Sequence, residues 1–167
     1  MAAPVEAWQE WLDRHGPAAL LFARQLTGNA ADAQDALQDG FIRFWRHRQK
    51  AQDDAAFLFT CVRTAALDLR RSQKRRRDRE RETMIMRSQA ALFTNDPDNA
   101  ECSAAIQQAL IELPEAQRDV VFLKIWAGLT FAQMCQALGE SMGTVSSRYR
   151  YAMEKLGALL SSEVDHG

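Results

Sequence analysis

Three hydroxyl side chains and two guanidinium groups stand close together in LTFAQMCQALGESMGTVSSRYRYAMEKL, residues 129–156: Ser141, Thr144, Ser147, Arg148 and Arg150. Short hydroxyls near the start of a helix can approach base edges in the major groove, and arginine reaches guanine or a phosphate. This is an inventory for binding duplex DNA. A second cluster, RRSQKRRRDRER at residues 70–81, is dense in cations. From Phe41 to Arg87 the chain holds 14 Lys or Arg against 6 Asp or Glu, while the remainder holds 7 against 16. The overall charge of −1 therefore conceals a basic segment suited to a polyanion and acidic segments suited to a basic partner. Solvated helix faces explain most basic runs, but the density at 70–81 favours nucleic acid.

Catalysis finds little support. There is no glycine-rich phosphate loop and no nucleophile elbow, and His15, His47 and His166 share no motif. Cys61, Cys102 and Cys135 are odd in number and too widely spaced for a CxxC knuckle, which predicts reduced structural thiols, no metal and no cofactor. No stretch approaches the roughly 20 apolar residues of a membrane span. The N-terminus MAAPVEAWQEWLDRHG is acidic and amphipathic, without the basic and apolar regions of an export signal. The expectation is a cytoplasmic protein with no membrane insertion of its own.

The elements that position these groups read as helices throughout. No proline falls between Pro17 and Pro97, and apolar residues recur at three- and four-residue spacing. A first helix is predicted from Ala7 through Leu26, with a break point at Gly16-Pro17 and a stop at Thr27-Gly28-Asn29. A second starts near Asp32 with Ala33, Ala36, Leu37, Phe41, Phe44 and Trp45 as its apolar stripe, and gives way to a loop over His47 to Asp54. A third begins at Ala55, carries Leu58, Cys61, Val62, Ala65 and Leu69 on one face, and runs into the basic tract. Arg87 to Cys102 includes the turn formers TNDPDNAE and reads as a linker. The fold class is thus all-α, with two small domains: a three- to four-helix bundle over 1–87, a flexible linker over 88–103, and a second helical domain over 104–162.

In that second domain, Ile106, Leu110 and Leu113 mark a helix ending ahead of Pro114, and another runs from Pro114 to Trp126. Thr130 is a good N-cap with Gln133 at the capping-box position, and Leu138-Gly139 ends the short helix. The next helix begins near Met142, with Val145, Tyr149, Ala152, Met153, Leu156 and Leu160 buried and Thr144, Ser147, Arg148 and Tyr151 outward. A short helix, a tight glycine turn and a longer helix with a hydroxyl and arginine face form a helix-turn-helix pattern.

ALIELPEAQRDVVFLKIWAGLTFAQMCQALGESMGTVSSRYRYAMEKL resembles region 4 of the extracytoplasmic-function (group 4) sigma factors of bacterial RNA polymerase. HGPAALLFARQLTGNAADAQDALQDGFIRFWRHR and AAFLFTCVRTAALDLRRSQKRR are similar to their region 2. The two blocks occur in family order, and with the linker the resemblance covers nearly the whole chain. It implies a sigma factor that directs promoter-specific initiation, with core RNA polymerase and promoter DNA as partners and an anti-sigma factor as a further candidate partner.

The resemblance also implies roles. Asp35, Gln38, Asp39, Phe41 and Trp45 fall on the face that docks on the polymerase clamp helices. Asp32 shares their side of the helix, where an acidic first turn favoured by the helix dipole is an equal reading. Arg46, Arg48, Lys50, Phe57, Arg63, Arg70, Arg71, Lys74 and Arg75, with Phe59, lie in or beside the loop and helix that bind the minus-10 element. Phe57 has two readings, a core aromatic and a base-stacking one, and Asp68 reads as structural. Ser141, Thr144, Ser147, Arg148 and Arg150 fall on the minus-35 recognition helix. Thr64 stands where the family usually has Asn, and Ser146 where a lysine is common. Cys135 takes a small-residue packing position. The competing function is a stand-alone helix-turn-helix regulator whose N-terminal helices serve for dimerisation or signal reception.

Overall fold

The computed structural model describes residues 5–80 and 100–164, and these are helical almost throughout. The chain divides into two compact units, over residues 1–90 and 91–167. In the first, α1 (Val5–Thr27), α2 (Ala30–His47) and α3 (Asp54–Glu80) pack on one another, with a single 3-10 turn at Arg48–Lys50 between α2 and α3. The second holds α4 (Ala100–Glu112), α5 (Glu115–Ile125), α6 (Phe131–Leu138) and α7 (Met142–Val164).

The first unit is organised by small residues that let helices approach. Ala19, Ala23, Ala33, Ala36, Ala56, Ala65 and Ala66 are buried alongside Phe22, Phe44, Leu58, Phe59 and Val62. Where α2 crosses α3, Gly40 is so close that an added Cβ would stand 2.8 Å from both Cα and Cγ2 of Val62. Alanine would improve helix propensity there by about 1 kcal/mol. The clash is with backbone, however, and overpacking costs about 1–3 kcal/mol or more. Gly40→Ala is expected to destabilise this unit by about 2 kcal/mol, read as a lower urea midpoint; an unchanged or raised midpoint would contradict the close crossing.

The break point at Gly16-Pro17 does not break α1, which continues from Val5 to Thr27. An interior proline costs about 3 kcal/mol, whereas burial of Ala19, Phe22, Ala23 and Leu26 beyond it contributes at about 1.5–3 kcal/mol for each large side chain. Gly16 lacks the Cβ that clashes with a following proline ring. Gly28, at φ 84°, closes the helix with its N–H on the Arg24 carbonyl. Asn29 then caps α2 by accepting from the Asp32 N–H at 2.8 Å, which sets the helix start two residues ahead of Asp32.

The third helix runs through the basic tract, with α3 extending to Glu80; Arg, Lys and Gln are good helix formers. One further expectation changes. At the other end of the predicted linker, α4 begins at Ala100, so residues 100–103 are helical. Residues 81–99 lie outside the described part.

In the second unit α7 packs against α4 and α5 over Ala109, Leu110, Leu113, Val121, Ala152 and Leu156, and against α6 with Tyr149 edge-on to Phe131. Arg118 fixes the α4–α5 corner by donating to the carbonyls of Leu110, Ile111 and Leu113 at 2.8–3.0 Å. These carbonyls lie at and just beyond the end of α4, where the helix supplies no i+4 donor, and the Leu110 carbonyl also accepts from the Leu113 N–H at 3.2 Å. Met153, which its spacing assigns to the α7 core, is 41% exposed. The buried line runs 145, 152 and 156 with Leu159 and Leu160 beside it, and Met153 falls one position off it. Among the described residues no helix is long and apolar enough to cross a membrane.

Candidate nucleic-acid and partner interfaces

The recognition-helix geometry is built by local bonds. Thr130 and Gln133 form a reciprocal capping box at the start of α6, with N–H to side-chain distances of 3.2 and 2.9 Å. Gly139 ends α6 at φ 66°, a conformation that disfavours residues with a Cβ. Ser141 then caps α7: its Oγ accepts from the Thr144 N–H at 3.2 Å and donates to the Thr144 hydroxyl at 2.9 Å. Thus Ser141 and Thr144 are mutually oriented at the N-terminus of α7. Ser147 is half-buried one turn on, and Arg150 is exposed with its guanidinium 4.8 Å from the neighbouring Tyr151 ring.

Arg148 is oriented too. Its Nη2 lies 3.0 Å from Glu140 Oε1, and the Glu140 N–H is bonded to the Cys135 carbonyl, so the turn holds the carboxylate in place. Sequence reasoning missed Glu140, because a pairing across a turn follows neither helical nor strand spacing.

In the first unit the acidic residues of α2 separate into distinct roles. Asp32 accepts from Asn29 Nδ2 at 2.6 Å and Gln73 Nε2 at 2.8 Å, joining the start of α2 to α3. Asp39 lies 2.7 Å from Arg43, which reaches Asp68 at 3.0 Å, and Arg71 meets the same carboxylate at 3.4 Å. This chain of charges also ties α2 to α3. Asp35 and Gln38 are exposed. Phe41 is half-buried, whereas Trp45, which the apolar stripe predicts as buried, is 55% exposed. Beside them a cleft of about 570 Å³ opens between α1 and α2, lined by Leu12, Gly16, Phe41, Ile42 and Trp45 among others.

On α3, Arg71, Lys74 and Arg75 are exposed and Arg70 is half-buried. Helical spacing puts Arg70, Lys74 and Arg77 along one line, with Arg71 and Arg75 along the next. Arg63 is half-buried, with a buried Nε that has no hydrogen-bond partner. Phe59 is wholly buried against Phe22 and belongs to the core. Phe57 is half-buried, 5.9 Å from the Phe44 ring. Arg46 and Lys50 are exposed, but the Arg48 guanidinium is already occupied, packed against the rings of both Trp8 and Trp45 at 4.2 and 3.9 Å. Burial pushes the Cys61 thiol up to about 11, which leaves it protonated and unreactive at neutral pH.

Residues 11–76 match the family model for Sigma-70 region 2, and residues 103–156 match that for Sigma-70, region 4. An all-helical chain with both regions in this order defines the class of sigma-70-type factors. Over 163 residues the chain is 32% identical to the ECF RNA polymerase sigma factor SigL of Mycobacterium tuberculosis, covering 93% of this chain and 89% of that one. It is 31% identical over 148 residues to EcfG of Rhodopseudomonas palustris, covering 86% and 80%. The chain belongs to the extracytoplasmic-function sigma factors of bacterial RNA polymerase, and its function is promoter-specific transcription initiation. The fold agrees with that of the sigma factor RpoE of Bartonella quintana, solved in complex with the anti-sigma factor NepR: TM-score 0.76 at 22% identity, covering 94% and 98%. CnrH, solved with the cytosolic domain of CnrY, gives a TM-score of 0.64 at 24% identity, covering 96% and 91%.

Proposed function

We propose that the first unit, residues 1–87, docks on core RNA polymerase through α2 and holds the opened minus-10 strand on α3, while the helix-turn-helix unit, residues 104–162, reads the minus-35 duplex. Residues 88–99, ahead of α4, serve as the tether. One observation carries this reading: a single unit combines an exposed polar and acidic face on α2, at Asp35 and Gln38, with an exposed cationic face on α3. A basic helix suits a phosphate backbone, and an acidic face suits a basic protein partner. In this reading Asp35, Gln38, Asp39, Phe41 and Trp45 form the docking face, Arg46, Lys50, Phe57, Arg63, Arg70, Arg71, Lys74 and Arg75 face the minus-10 strand, and Ser141, Thr144, Ser147, Arg148 and Arg150 face the minus-35 duplex. A dimerising regulator has no use for the first two faces. The chain acts in the cytoplasm and is not itself an enzyme, the chemistry of RNA synthesis residing in the polymerase. An anti-sigma protein is a further partner, in keeping with the solved complex of RpoE with the anti-sigma factor NepR.

Size-exclusion chromatography with purified core polymerase distinguishes the readings. Co-elution in a one-to-one complex is expected, and separate elution at micromolar concentrations would favour the stand-alone regulator.

At the minus-35 face, Arg148→Ala is expected to weaken duplex binding by about 1–3 kcal/mol, with loss of discrimination at one base pair. Glu140→Ala removes a half-buried surface ion pair worth about 1 kcal/mol to stability, yet frees Arg148 to sample other bases. Its expected effect is lower discrimination at that same base pair with little loss of total affinity. Equal weakening on every sequence by Arg148→Ala would assign the residue to a phosphate instead.

A further inference from the structure

Arg48 closes α2 and opens the 3-10 turn, and its side chain sits in the corner formed by two indole rings. The guanidinium carbon stands 3.9 Å from the Trp45 ring centroid and 4.2 Å from that of Trp8. The two indoles meet edge to face with centroids 5.7 Å apart and planes at 74°. Arg48 Nη1 is buried without a hydrogen-bond partner, so attraction to the two aromatic faces is what compensates its lost hydration. To reach a phosphate, the group would have to abandon both rings. Its backbone is fastened as well: the Arg48 N–H bonds to the Phe44 carbonyl, and the Ala51 N–H bonds back to the Arg48 carbonyl at 3.0 Å. At the far end of the short segment, Asp53 Oδ1 accepts from the Ala56 N–H at 2.8 Å and caps α3. Residues 48–53 are thus pinned at both ends. One wall of this corner, Trp8, comes from α1 and lies ahead of residues 11–76, the part that matches Sigma-70 region 2.

We infer that Arg48 is a positioning residue: Trp8 and Trp45 clasp it, and the clasp fixes the segment 48–53 in the shape that receives the unpaired minus-10 strand, so that Arg48 acts through the segment and not on the DNA. The inference rests on the proposed minus-10 role of this segment and α3. A loose segment would have to be ordered at the moment of strand opening, which slows that step and leaves earlier steps untouched.

The test uses the full chain assembled with core polymerase on a promoter that the wild-type holoenzyme opens. Trp8→Ala, Arg48→Ala and the double variant are compared for core affinity, closed-complex affinity, permanganate reactivity of unpaired thymines, and the salt dependence of binding. Each single variant is expected to lower open-complex formation by about tenfold when core and promoter are saturating, a condition that separates opening from any change in docking through Trp45. The double variant should be no worse than the more affected single one, because both remove one clasp. Arg48→Ala should leave the salt slope unchanged, whereas removing a cation that touches a phosphate directly makes it shallower by about 0.7–0.9. A silent Trp8→Ala beside a defective Arg48→Ala with a shallower slope, or additive single effects, would overturn the inference.

If Trp8→Ala lowers the melting temperature, Arg48→Lys decides. Lysine keeps the charge for a phosphate but loses the planar stacking group, so reduced opening supports the clasp and wild-type opening overturns it. A wild-type holoenzyme that opens no promoter would defeat the minus-10 reading itself; one that opens promoters equally well with and without Trp8 defeats the clasp alone.

Discussion

Asp35→Lys combined with Gln38→Ala is expected to reduce affinity for core RNA polymerase by two orders of magnitude or more. Truncating one partner of a desolvated charge pair costs about 2–5 kcal/mol, and a like charge placed opposite a basic surface adds to that. Every 1.4 kcal/mol is about tenfold in affinity. These two positions isolate docking from folding because both side chains are exposed. Their neighbours would confuse the result. Asp32 links α2 to α3 through Gln73, and Asp39 holds Arg43, which in turn holds Asp68. Lysine at 39 would set two cations side by side and loosen the helix pair. Exposed substitutions away from such bonds normally change stability by no more than about 0.5 kcal/mol, so the melting temperature should be preserved. Retention of full affinity by the double variant, measured by pull-down on immobilised core, would remove α2 from the docking face.

Neutralising Arg70, Arg71, Lys74 and Arg75 together to alanine is expected to cut open-complex formation by about a hundredfold while closed-complex recognition through α7 survives. Each cation removed from a single-strand phosphate lowers the salt slope by about 0.7, so alanine at all four positions should make it shallower by as much as about 3. The helix should persist, since alanine is the best helix former and the Arg71–Asp68 contact is an exposed pair of small value. Permanganate footprinting separates melting from binding. A quadruple variant that opens promoters as well as wild type would refute the role of this helix.

The parts of the fold legible in the sequence are those fixed within a few residues. Thr130 with Gln133, Gly139, and the halt before Pro114 are local signals with local causes, and the helix-turn-helix follows from them. Elements that depend on distant partners are not legible in this way. Trp45 reads as core because it shares the stripe of Phe41 and Phe44, but it sits at the edge of that stripe and meets Trp8 and Arg48 instead. Pro17 reads as a break because local propensity carries no trace of the burial that overrides it. The roles of Asp32 and Asp39 become distinguishable only with Gln73 and Arg43 beside them. Of the cationic positions, spacing alone does not tell Arg48, packed against two rings, from Lys50, which is exposed.

With this chain bound, core polymerase is expected to find and open promoters. Run-off transcription from a promoter library tests it in one step, with core polymerase alone and the chain alone as controls. The expected result is transcripts only when both are present, initiating downstream of sequences that share one minus-35 and one minus-10 element at fixed spacing, with permanganate-reactive thymines at the minus-10 element. Duplex binding by the chain without any core-dependent transcript would contradict it.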